Sequence, residues 1–340
     1  MNQFTRALRG DSQAVPPIWL MRQAGRYHRH YQAIRRTHSF EAVCRTPDVA
    51  AEAALGPVRD FDFDAAILFS DLLFPLQALG FGLTYENGPP ELDGPLTDKR
   101  IARFRPLDKA AARLKFQGEA VAATRALLPA DKGLIGFVGG PWTLFVYGVE
   151  GSHAGPLTKA KSSAALYRAF AKHMVPLAKR QIRMQLDAGA DVVMILDTAA
   201  GDVPYSEFST LVAKDLAALA RAFPHQLGYY AKGSTPAQLS SAGFREAPWA
   251  GLGLDGRWDL AATLARRPLP GFIQGNFDPA LLHLTGRELT AAIRRFLEPV
   301  RRLPLRARRG WICGLGHGVL PGTPEASVRT FVRLTREVLS

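Results

Sequence analysis

The stretch Asp191-Val-Val-Met-Ile-Leu196 indicates the fold of this chain. It is apolar at almost every position, as expected for a strand that is buried on both of its faces. A strand with one face in water would alternate apolar and polar residues instead. The stretch therefore predicts a parallel sheet with helices on both sides.

Similar short apolar runs occur along the whole chain, and helical patterns separate them. Alternating strands and helices predict an α/β fold with a parallel sheet. Eight repeats predict closure into a single (β/α)₈ TIM-type barrel, here one domain over residues 1–340. The eight candidate strands are Ile18–Leu20, Ala65–Phe69, Leu134–Val138, Asp191–Leu196, Gln226–Tyr230, Ala250–Leu254, Gly271–Gln274 and Trp311–Gly314.

The chain is longer than a minimal barrel, which needs about 250 residues. The clearest insertion follows the second predicted strand and runs from Phe81 to Pro106. It contains Asn87-Gly88, which is typical of a tight hairpin turn, followed by Pro89-Pro90. We therefore predict a hairpin insertion after strand 2.

Helix starts are predicted where a capping residue precedes a proline. Thr285 and Glu288 have the spacing of a capping box. In the last helix, apolar residues from Val328 to Leu339 recur on one face. The three starts with proline are Thr46-Pro47, Asp278-Pro279 and Thr323-Pro324.

The composition is that of an ordinary globular protein, with 47% apolar and 21% charged residues. No apolar run is long enough to predict a transmembrane helix, and the N-terminus lacks the apolar core of a signal peptide. Two cysteines, Cys44 and Cys313, are too few for a disulfide framework. We expect a cytoplasmic protein.

The net charge of +13 favours an anionic partner, either nucleic acid or a metabolite with several carboxylates. The densest basic run, from Arg294 to Arg309, is typical of a solvated helix face and the turn after it. No aromatic residues alternate with these arginines to stack on bases, which argues against single-stranded nucleic acid.

Polar residues cluster just after the predicted strands, where a barrel of this type has its active site. Arg22 and Arg26 are four residues apart around Gly25, and paired guanidinium groups suit a substrate with several carboxylates. Gly25 would let the backbone approach a ligand closely. The other strand-end residues are Ser70, Asp71, Tyr147, Asp197, Thr198, Lys232, Asp255, Gln274, Asn276 and His317.

Metal and phosphate motifs are missing from this set. Cys313 and His317 are four residues apart, but a zinc site needs three or four convergent ligands. The segment Gly136–Gly140 lacks the lysine of a Walker loop and the spacing of a dinucleotide site. We interpret its Gly-Gly-Pro turn as room for a bulky ligand near the backbone.

Several motifs, in matching order and spacing over almost the full chain, resemble the uroporphyrinogen decarboxylase family. The strongest are Pro17-Ile-Trp-Leu-Met-Arg-Gln-Ala-Gly-Arg-Tyr27, Phe63-Asp-Ala-Ala-Ile-Leu-Phe-Ser-Asp71 and Gly136-Phe-Val-Gly-Gly-Pro-Trp-Thr-Leu144. Weaker ones are Gln274-Gly-Asn-Phe-Asp-Pro279 and Gly314-Leu-Gly-His-Gly-Val-Leu-Pro321.

The resemblance implies a (β/α)₈ barrel, usually a homodimer, that works without a metal or an organic cofactor. The implied substrate is uroporphyrinogen III, whose four acetate side chains become the methyl groups of coproporphyrinogen III. The implied catalytic residues are Asp71, Arg22, Arg26, Tyr147 and His317. The implied substrate-binding residues are Arg22, Gln23, Ala24, Gly25, Arg26, Asp71, Tyr147, Thr198 and His317.

Four places depart from the family pattern. Gly314 stands where the family usually has Asn, and Asp255 and Trp258, normally adjacent, are separated by two residues. Ala199-Ala200 and the segment 151–156 also differ. None of these changes removes an implied catalytic residue.

An electron-rich pyrrole can accept the electrons of the departing carbon dioxide once its ring carbon is protonated. Asp71 would stabilise the resulting cation, and the arginines should keep Asp71 ionised. The proton donor stays open between Arg22, Tyr147, His317 and water.

Two other functions stay open as alternatives. A corrinoid-linked methyltransferase of the same superfamily would need zinc ligands that this chain lacks. A nucleic-acid-binding protein would need a reading helix or a stacking platform, and the chain offers neither.

Overall fold

A parallel sheet of seven strands forms the centre of the protein, whose computed structural model describes residues 1–85 and 89–340. The strands follow one another across the sheet in chain order, and every neighbouring pair is parallel. This confirms the predicted α/β fold. The strands are β1 (Ala65–Ile67), β4 (Gly133–Gly139), β5 (Val192–Leu196), β6 (Leu227–Tyr230), β7 (Gly251–Gly253), β8 (Phe272–Phe277) and β9 (Trp311–Leu315).

The strands are short apolar segments that are buried beneath the surrounding helices. All seven residues of β4 are buried, and in β5 only Leu196 is partly exposed. The β4–β5 register pairs Ile135 with Val192 and Gly139 with Leu196. The carboxyl ends of neighbouring strands therefore lie at one edge of the sheet.

The predicted first strand, Ile18–Leu20, is wrong in length, because only Ile18 pairs, as an isolated parallel bridge with Cys313. Leu20 instead donates its N–H to Gln23 Oε1 (3.3 Å), and Met21 turns the chain into the left-handed region (φ 61°). The chain therefore leaves the sheet direction at once.

Even so, Ile18 and its neighbours contact both edges of the sheet. Trp19 N donates to Cys313 O (3.0 Å), and Cys313 N donates to Pro17 O (2.9 Å). On the other side, Asp64 N donates to Ile18 O (3.1 Å), and Ile18 N donates to Asp64 Oδ2 (2.8 Å). The segment thus bridges the gap between β9 and β1.

Helices pack around the sheet. The longest, α11, spans 24 residues and packs against β4 and β5. The helices are α1 (Gln3–Leu8), α2 (Arg29–Thr37), α3 (Phe40–Arg45), α4 (Pro47–Phe61), α5 (Phe74–Leu79), α6 (Asp98–Ile101), α7 (Leu107–Ala112), α8 (Lys115–Leu127), α9 (Pro141–Glu150), α10 (Thr158–Lys161), α11 (Ala164–Asp187), α12 (Tyr205–Glu207), α13 (Ala213–Ala222), α14 (Pro236–Leu239), α15 (Ala242–Arg245), α16 (Leu260–Arg266), α17 (Gly286–Arg301) and α18 (Glu325–Leu339). Three 3₁₀ helices cover Thr198–Asp202, Pro279–His283 and Leu305–Arg308, and a π-helical turn covers Phe208–Val212.

Two of the three predicted proline starts are confirmed, and the third is wrong by one residue, because α18 begins at Glu325 with Pro324 in the capping position. Pro47 opens α4, and Asp278 caps the 3₁₀ helix that begins at Pro279. The predicted capping box of Thr285 and Glu288 is wrong, because the Thr285 side chain makes no capping hydrogen bond. A capping box forms instead at the start of α14, between Thr235 and Gln238.

Two short antiparallel strands, β2 (Leu83–Thr84) and β3 (Glu91–Leu92), lie in the segment after β1. The predicted turn at Asn87-Gly88 lies outside the described residues. The segment packs on α9, where Leu96 N donates to Gly148 O (2.6 Å). It therefore covers the helix that carries Tyr147. None of the described helices combines the length and apolar character needed to cross a membrane.

Candidate active site

The loop from Met21 to Arg26, here called the arginine loop, leaves the sheet at Met21 and lies against the end of β9. Met21 is buried in the left-handed conformation, which is uncommon outside glycine and fixes the direction of the next residue. A Cβ atom at Gly318 would lie 2.5 Å from Arg22 Cβ, so glycine is required there. This close packing places Arg22 beside His317.

The middle of the loop is part of the fold. Gln23 is buried, its Nε2 donates to Ala65 O (2.9 Å), and its Oε1 accepts from Leu20 N. Ala24 and Gly25 are half-buried, and a Cβ atom at Gly25 would meet only Tyr27 Cδ1 at 3.8 Å. Packing within the protein therefore does not demand a glycine at position 25, and the Gln23 side chain is occupied by structural hydrogen bonds.

Asp71 lies in the turn after β1, facing the arginine loop. Its Oδ1 accepts from Leu73 N (2.7 Å). The Tyr85 hydroxyl is buried close by and helps to lower the pKa of Asp71, although it makes no hydrogen bond of ordinary geometry with a described residue. Burial outweighs these groups and the charge of Arg22, so the pKa of Asp71 is raised above its usual value. The charge of Arg22 therefore favours ionised Asp71 but does not bring its pKa below the usual value.

Tyr147 lies near the C-terminal end of α9, half-buried and directed toward Asp71 and Arg22. Burial, then the charge of Asp71, raises the pKa of Tyr147, while Arg22 lowers it. The Tyr147 hydroxyl is 2.7 Å from His153 Nδ1. Tyr147 is thus a neutral phenol with an imidazole partner.

His317 follows β9 and is half-buried beside Tyr230, whose hydroxyl donates to Gly316 O (2.8 Å). Burial, followed by the charge of Arg22, lowers the pKa of His317 to about 4. A histidine that is neutral at neutral pH can donate or accept a hydrogen bond but is not a ready acid. Of the four proton donors that the sequence leaves open, His317 is therefore a poorer candidate in the free protein.

Arg22, Asp71, Tyr147 and His317 lie at the carboxyl ends of the strands, and we call this region the mouth. Two further loops complete it. Thr198, half-buried, starts the 3₁₀ helix after β5, and Lys232 is exposed after β6. A Cβ atom at Gly201 would lie 1.9 Å from Lys232 O, so the two loops are in close contact. Arg26 is exposed in the segment just before α2, and its charge acts on Tyr31 of that helix.

The Gly-Gly-Pro turn before α9 does not make room for a ligand, and that interpretation was wrong. A Cβ atom at Gly140 would lie 2.1 Å from Asp197 Cγ. The buried Asp197 accepts from Thr143 N (2.8 Å) and so caps α9 from a neighbouring loop. Burial raises the pKa of Asp197 to about 6. The glycine is needed because this carboxyl fills the space.

Other departures from the family pattern also have structural explanations. A Cβ atom at Gly314 would lie 2.0 Å from Trp19 O, so this chain has no room for a larger residue there. Asp255 is buried and accepts from Gly233 N (2.6 Å) and Arg257 N (3.0 Å). Asn276, predicted at a strand end, is buried in β8 and donates to Asp255 O (2.7 Å). These groups support the loops of the mouth.

Arg22 is the common neighbour of the predicted catalytic residues, because its charge acts on the pKa of Asp71, Tyr147 and His317. Sequence reasoning missed His153 and Tyr85. His153 follows a helix and Tyr85 lies in the insertion, so a search of strand ends does not find them. The only available signal was that segment 151–156 departs from the family pattern.

The described residues hold no group of three or more His, Cys, Asp or Glu side chains arranged for a metal ion. Cys313 is buried, burial raises its pKa to about 12, and its Sγ lies 3.9 Å from Thr335 Oγ1. It packs as a small apolar residue.

Comparison with known proteins agrees with this arrangement. The family profile described as Uroporphyrinogen decarboxylase (URO-D) matches residues 1–338. The chain belongs to the uroporphyrinogen decarboxylase family. It is 34% identical to a uroporphyrinogen decarboxylase of Rhodospirillum rubrum, over 98% of this chain and 96% of that protein. It is 36% identical to one of Chloroflexus aurantiacus, over 98% and 95% of the two chains.

Solved structures extend the likeness in fold. A methyltransferase from Methanosarcina mazei superposes with a TM-score of 0.75 at 18% identity, covering 99% of this chain and 98% of its own. A B12-independent methionine synthase from Shewanella sp. W3-18-1 superposes with a TM-score of 0.54 at 12% identity, covering 89% of each chain. At these identities the likeness concerns the fold alone.

Proposed function

We propose that this protein decarboxylates uroporphyrinogen III to coproporphyrinogen III without a metal or an organic cofactor. The observation that carries the proposal is the placement of Asp71, Arg22, Tyr147 and His317 around one mouth in a chain of this family. A carboxylate that lies beside Arg22 suits a substrate that has anionic arms and a centre that becomes cationic.

Binding would begin with the carboxylates of the substrate. Arg22 and Arg26 form no ion pair with any described residue, so both guanidinium groups are available for bidentate contacts. Lys232 adds a third cation at the rim. Thr198 would donate or accept a hydrogen bond, and residues 23–25 would meet the substrate through their backbone.

Asp71 would accept hydrogen bonds from the pyrrole N–H groups at the centre of the substrate. Protonation of a pyrrole carbon makes the ring cationic, and the C–C bond to the carboxylate then breaks. Its electron pair neutralises the cationic ring and leaves an exocyclic methylene group as carbon dioxide departs. The methylene carbon then takes up a proton to become a methyl group, and the ring carbon gives back the proton that it had accepted. Each turnover thus consumes one proton overall.

A fixed carboxylate opposite this developing cation stabilises it in a poorly solvated setting. For this role Asp71 must be ionised. Its Leu73 hydrogen bond and the charge of Arg22 favour the ionised form, and cationic character in the bound ring adds to them. We take Tyr147 as the proton donor, because its hydroxyl keeps its proton at working pH, whereas His317 is neutral and an arginine is a poor acid. The raised pKa of Tyr147 makes it a weak acid that needs a partner to resupply its proton.

We also propose that the seven strands and the Ile18 bridge form one closed eight-stranded barrel, with the segment after β1 as its hairpin insertion. The hydrogen bonds of Ile18 to both sheet edges support closure. One catalytic domain over residues 1–340, a homodimer and a cytoplasmic location are further proposals, which rest on the family resemblance. Light scattering of the purified protein tests the dimer.

Anaerobic incubation with uroporphyrinogen III tests the proposed reaction. After oxidation, the porphyrins are separated by their number of carboxylates. We expect intermediates that have lost carboxylates one at a time, followed by coproporphyrin. Recovery of unchanged uroporphyrin from folded protein would contradict the proposal.

A further inference from the structure

The hydrogen bond between Tyr147 and His153 joins a predicted site residue to a loop that sequence reasoning missed. The Tyr147 hydroxyl and His153 Nδ1 are 2.7 Å apart, and the ring centroids are 5.4 Å apart. α9 ends at Glu150, and Gly151 takes a left-handed conformation that starts the loop carrying His153. The imidazole is therefore held over the phenol from the solvent side.

Charged groups from three other parts of the mouth face His153. The His153 side chain is exposed on its solvent side, but the protein on its other side desolvates the ring in part and lowers the pKa of His153. The charges of Lys232 and Arg22 lower this pKa further, and Asp202 opposes them. His317 is close enough to be part of the same group of charges, since the charge of His153 lowers the pKa of His317. The lowered pKa favours neutral His153 in the free protein, and in the tautomer that carries its hydrogen on Nε2 the Nδ1 atom accepts the Tyr147 hydrogen.

We propose that His153 is a positioning residue that sets the direction of the Tyr147 hydroxyl hydrogen, and that a bound polycarboxylate reverses this direction by favouring protonated His153. The inference rests on the proposed role of Tyr147 at the mouth. Carboxylates near Arg22 and Lys232 would offset the part of the pKa lowering that comes from those two charges, which adds to the effect of burial. The imidazole then takes a proton from solvent at Nδ1.

Protonation at Nδ1 changes the role of Tyr147 without any redox step. Protonated Nδ1–H donates to the phenol oxygen, so that oxygen becomes an acceptor toward His153. The phenol hydrogen then turns to the mouth, where it can be given to the substrate. His153 can in turn pass its proton to the phenolate and regain one from solvent, because its ring is exposed.

This arrangement predicts a specific pH dependence. The active state needs protonated His153, so it is present below the pKa of His153 in the substrate complex and lost as the pH rises through that value. The high-pH arm of the kcat profile, which reports groups in the complex, should therefore belong to His153. A loop-anchoring role alone would give no such arm.

The test compares four variants with the wild-type protein in anaerobic assays between about pH 5.5 and about pH 8.5, where a histidine changes charge. His153→Phe keeps the ring but removes Nδ1. His153→Asn keeps a hydrogen-bonding group that cannot titrate. Tyr147→Phe and the double variant Tyr147→Phe/His153→Phe show whether the two residues act together. The matched control is His173→Phe, an exposed histidine on α11 that packs on Phe104.

We expect His153→Phe to lower kcat about fivefold, roughly the value of one hydrogen bond, and to flatten the high-pH arm. His153→Asn should recover part of the rate but not the arm. The double variant should be no slower than Tyr147→Phe, and His173→Phe should match the wild type. A wild-type arm in His153→Phe, or a double variant slowed by the product of both single effects, would overturn the inference.

A second measurement does not depend on turnover. Nitrogen-15 spectra follow the His153 ring, assigned with His153→Phe, while oxidised uroporphyrin is added. We expect the midpoint of the His153 titration to move to higher pH with this polycarboxylate bound. An unchanged midpoint in the bound protein contradicts the inference, even if the wild-type protein decarboxylates uroporphyrinogen. A shifted midpoint supports the inference, even if the wild-type protein shows no decarboxylation.

Discussion

Arginines at the mouth and arginines on the outer helices are arranged in opposite ways. On α17, Arg301 and the following Arg302 pair with Glu298 at 2.8 Å and 3.2 Å. At the mouth, Arg22 and Arg26 form no ion pair with any described residue. Arginines on the outer helix are thus paired with a carboxylate of the protein, whereas those at the mouth are left available for the carboxylates of a substrate.

The comparison shows that charge density alone does not mark a functional site. The run Arg294–Arg309 is the most basic stretch of the chain, yet it ends at the entry to β9, at the opposite end of the strands from the mouth. Exposed ion pairs of this kind contribute under about 1 kcal/mol each. The mouth has fewer arginines, but one of them, Arg22, acts directly on the carboxyl of Asp71.

The largest expected effect comes from Asp71→Asn. The amide keeps the shape and one acceptor but removes the charge that opposes the cationic intermediate, so kcat should fall by about two to three powers of ten. Asp108→Asn, an exposed aspartate on α7, is the matched control. Steady-state kinetics with circular dichroism check the result, and near wild-type turnover in Asp71→Asn would show that Asp71 is not the stabilising group.

Arg26→Lys should raise KM about tenfold while leaving kcat nearly unchanged. A lysine keeps the charge but cannot form two parallel hydrogen bonds with a carboxylate, and one charged hydrogen bond contributes about 1.5 kcal/mol. The control is Arg36→Lys, an exposed arginine on α2, the helix that follows Arg26. If Arg26→Lys has no effect while Arg26→Ala does, only the charge of Arg26 matters.

A smaller effect concerns the low-pH arm of kcat/KM. Catalysis needs ionised Asp71, so activity is present above the pKa of Asp71 and lost as the pH falls through it. Burial raises the pKa of Asp71 and Arg22 lowers it, so Arg22→Ala should move the low-pH arm to higher pH. Arg301→Ala should leave the arm in place. If the low-pH arm of kcat/KM is unchanged in Arg22→Ala, Arg22 is too far from Asp71 to influence its pKa.

The smallest effect is expected for Arg301, Arg302 and Arg306 changed together to Glu. Turnover at saturating substrate should stay within a few-fold, because these side chains are exposed away from the mouth. Capture of an eight-carboxylate substrate should slow slightly, and added salt should remove the difference. Loss of turnover in folded protein would show that the basic run reaches the site.

The sequence predicted those parts of the fold that depend on local pattern. Buried strands are continuous apolar runs, so Asp191–Leu196 and six others were located, and the apolar face of α18 is confirmed. The strand at Ile18 was overestimated because hydrogen bonds from Gln23 turn the chain at Met21. No local pattern shows such a contact.

The site was predictable where it follows strand ends and unpredictable where it depends on tertiary contacts. Asp71 and His317 follow β1 and β9, as the barrel rule requires. Gly140 was misinterpreted because Asp197, distant in sequence, fills the space beside it. His153 reaches Tyr147 from a loop after a helix, and the raised pKa of Asp71 follows from burial, which sequence spacing does not reveal.

The most direct measurement compares substrate capture by the two arginine groups in one experiment. The pair Arg22→Ala/Arg26→Ala and the pair Arg301→Glu/Arg302→Glu are assayed anaerobically with uroporphyrinogen III at low and high salt. We predict that kcat/KM falls by at least about a hundredfold in the mouth pair, from the loss of two charged contacts, and that this loss persists at high salt. The outer pair should stay within a few-fold of wild type. Equal losses in both pairs, or a mouth loss that salt removes, would contradict a carboxylate-binding mouth built on Arg22 and Arg26.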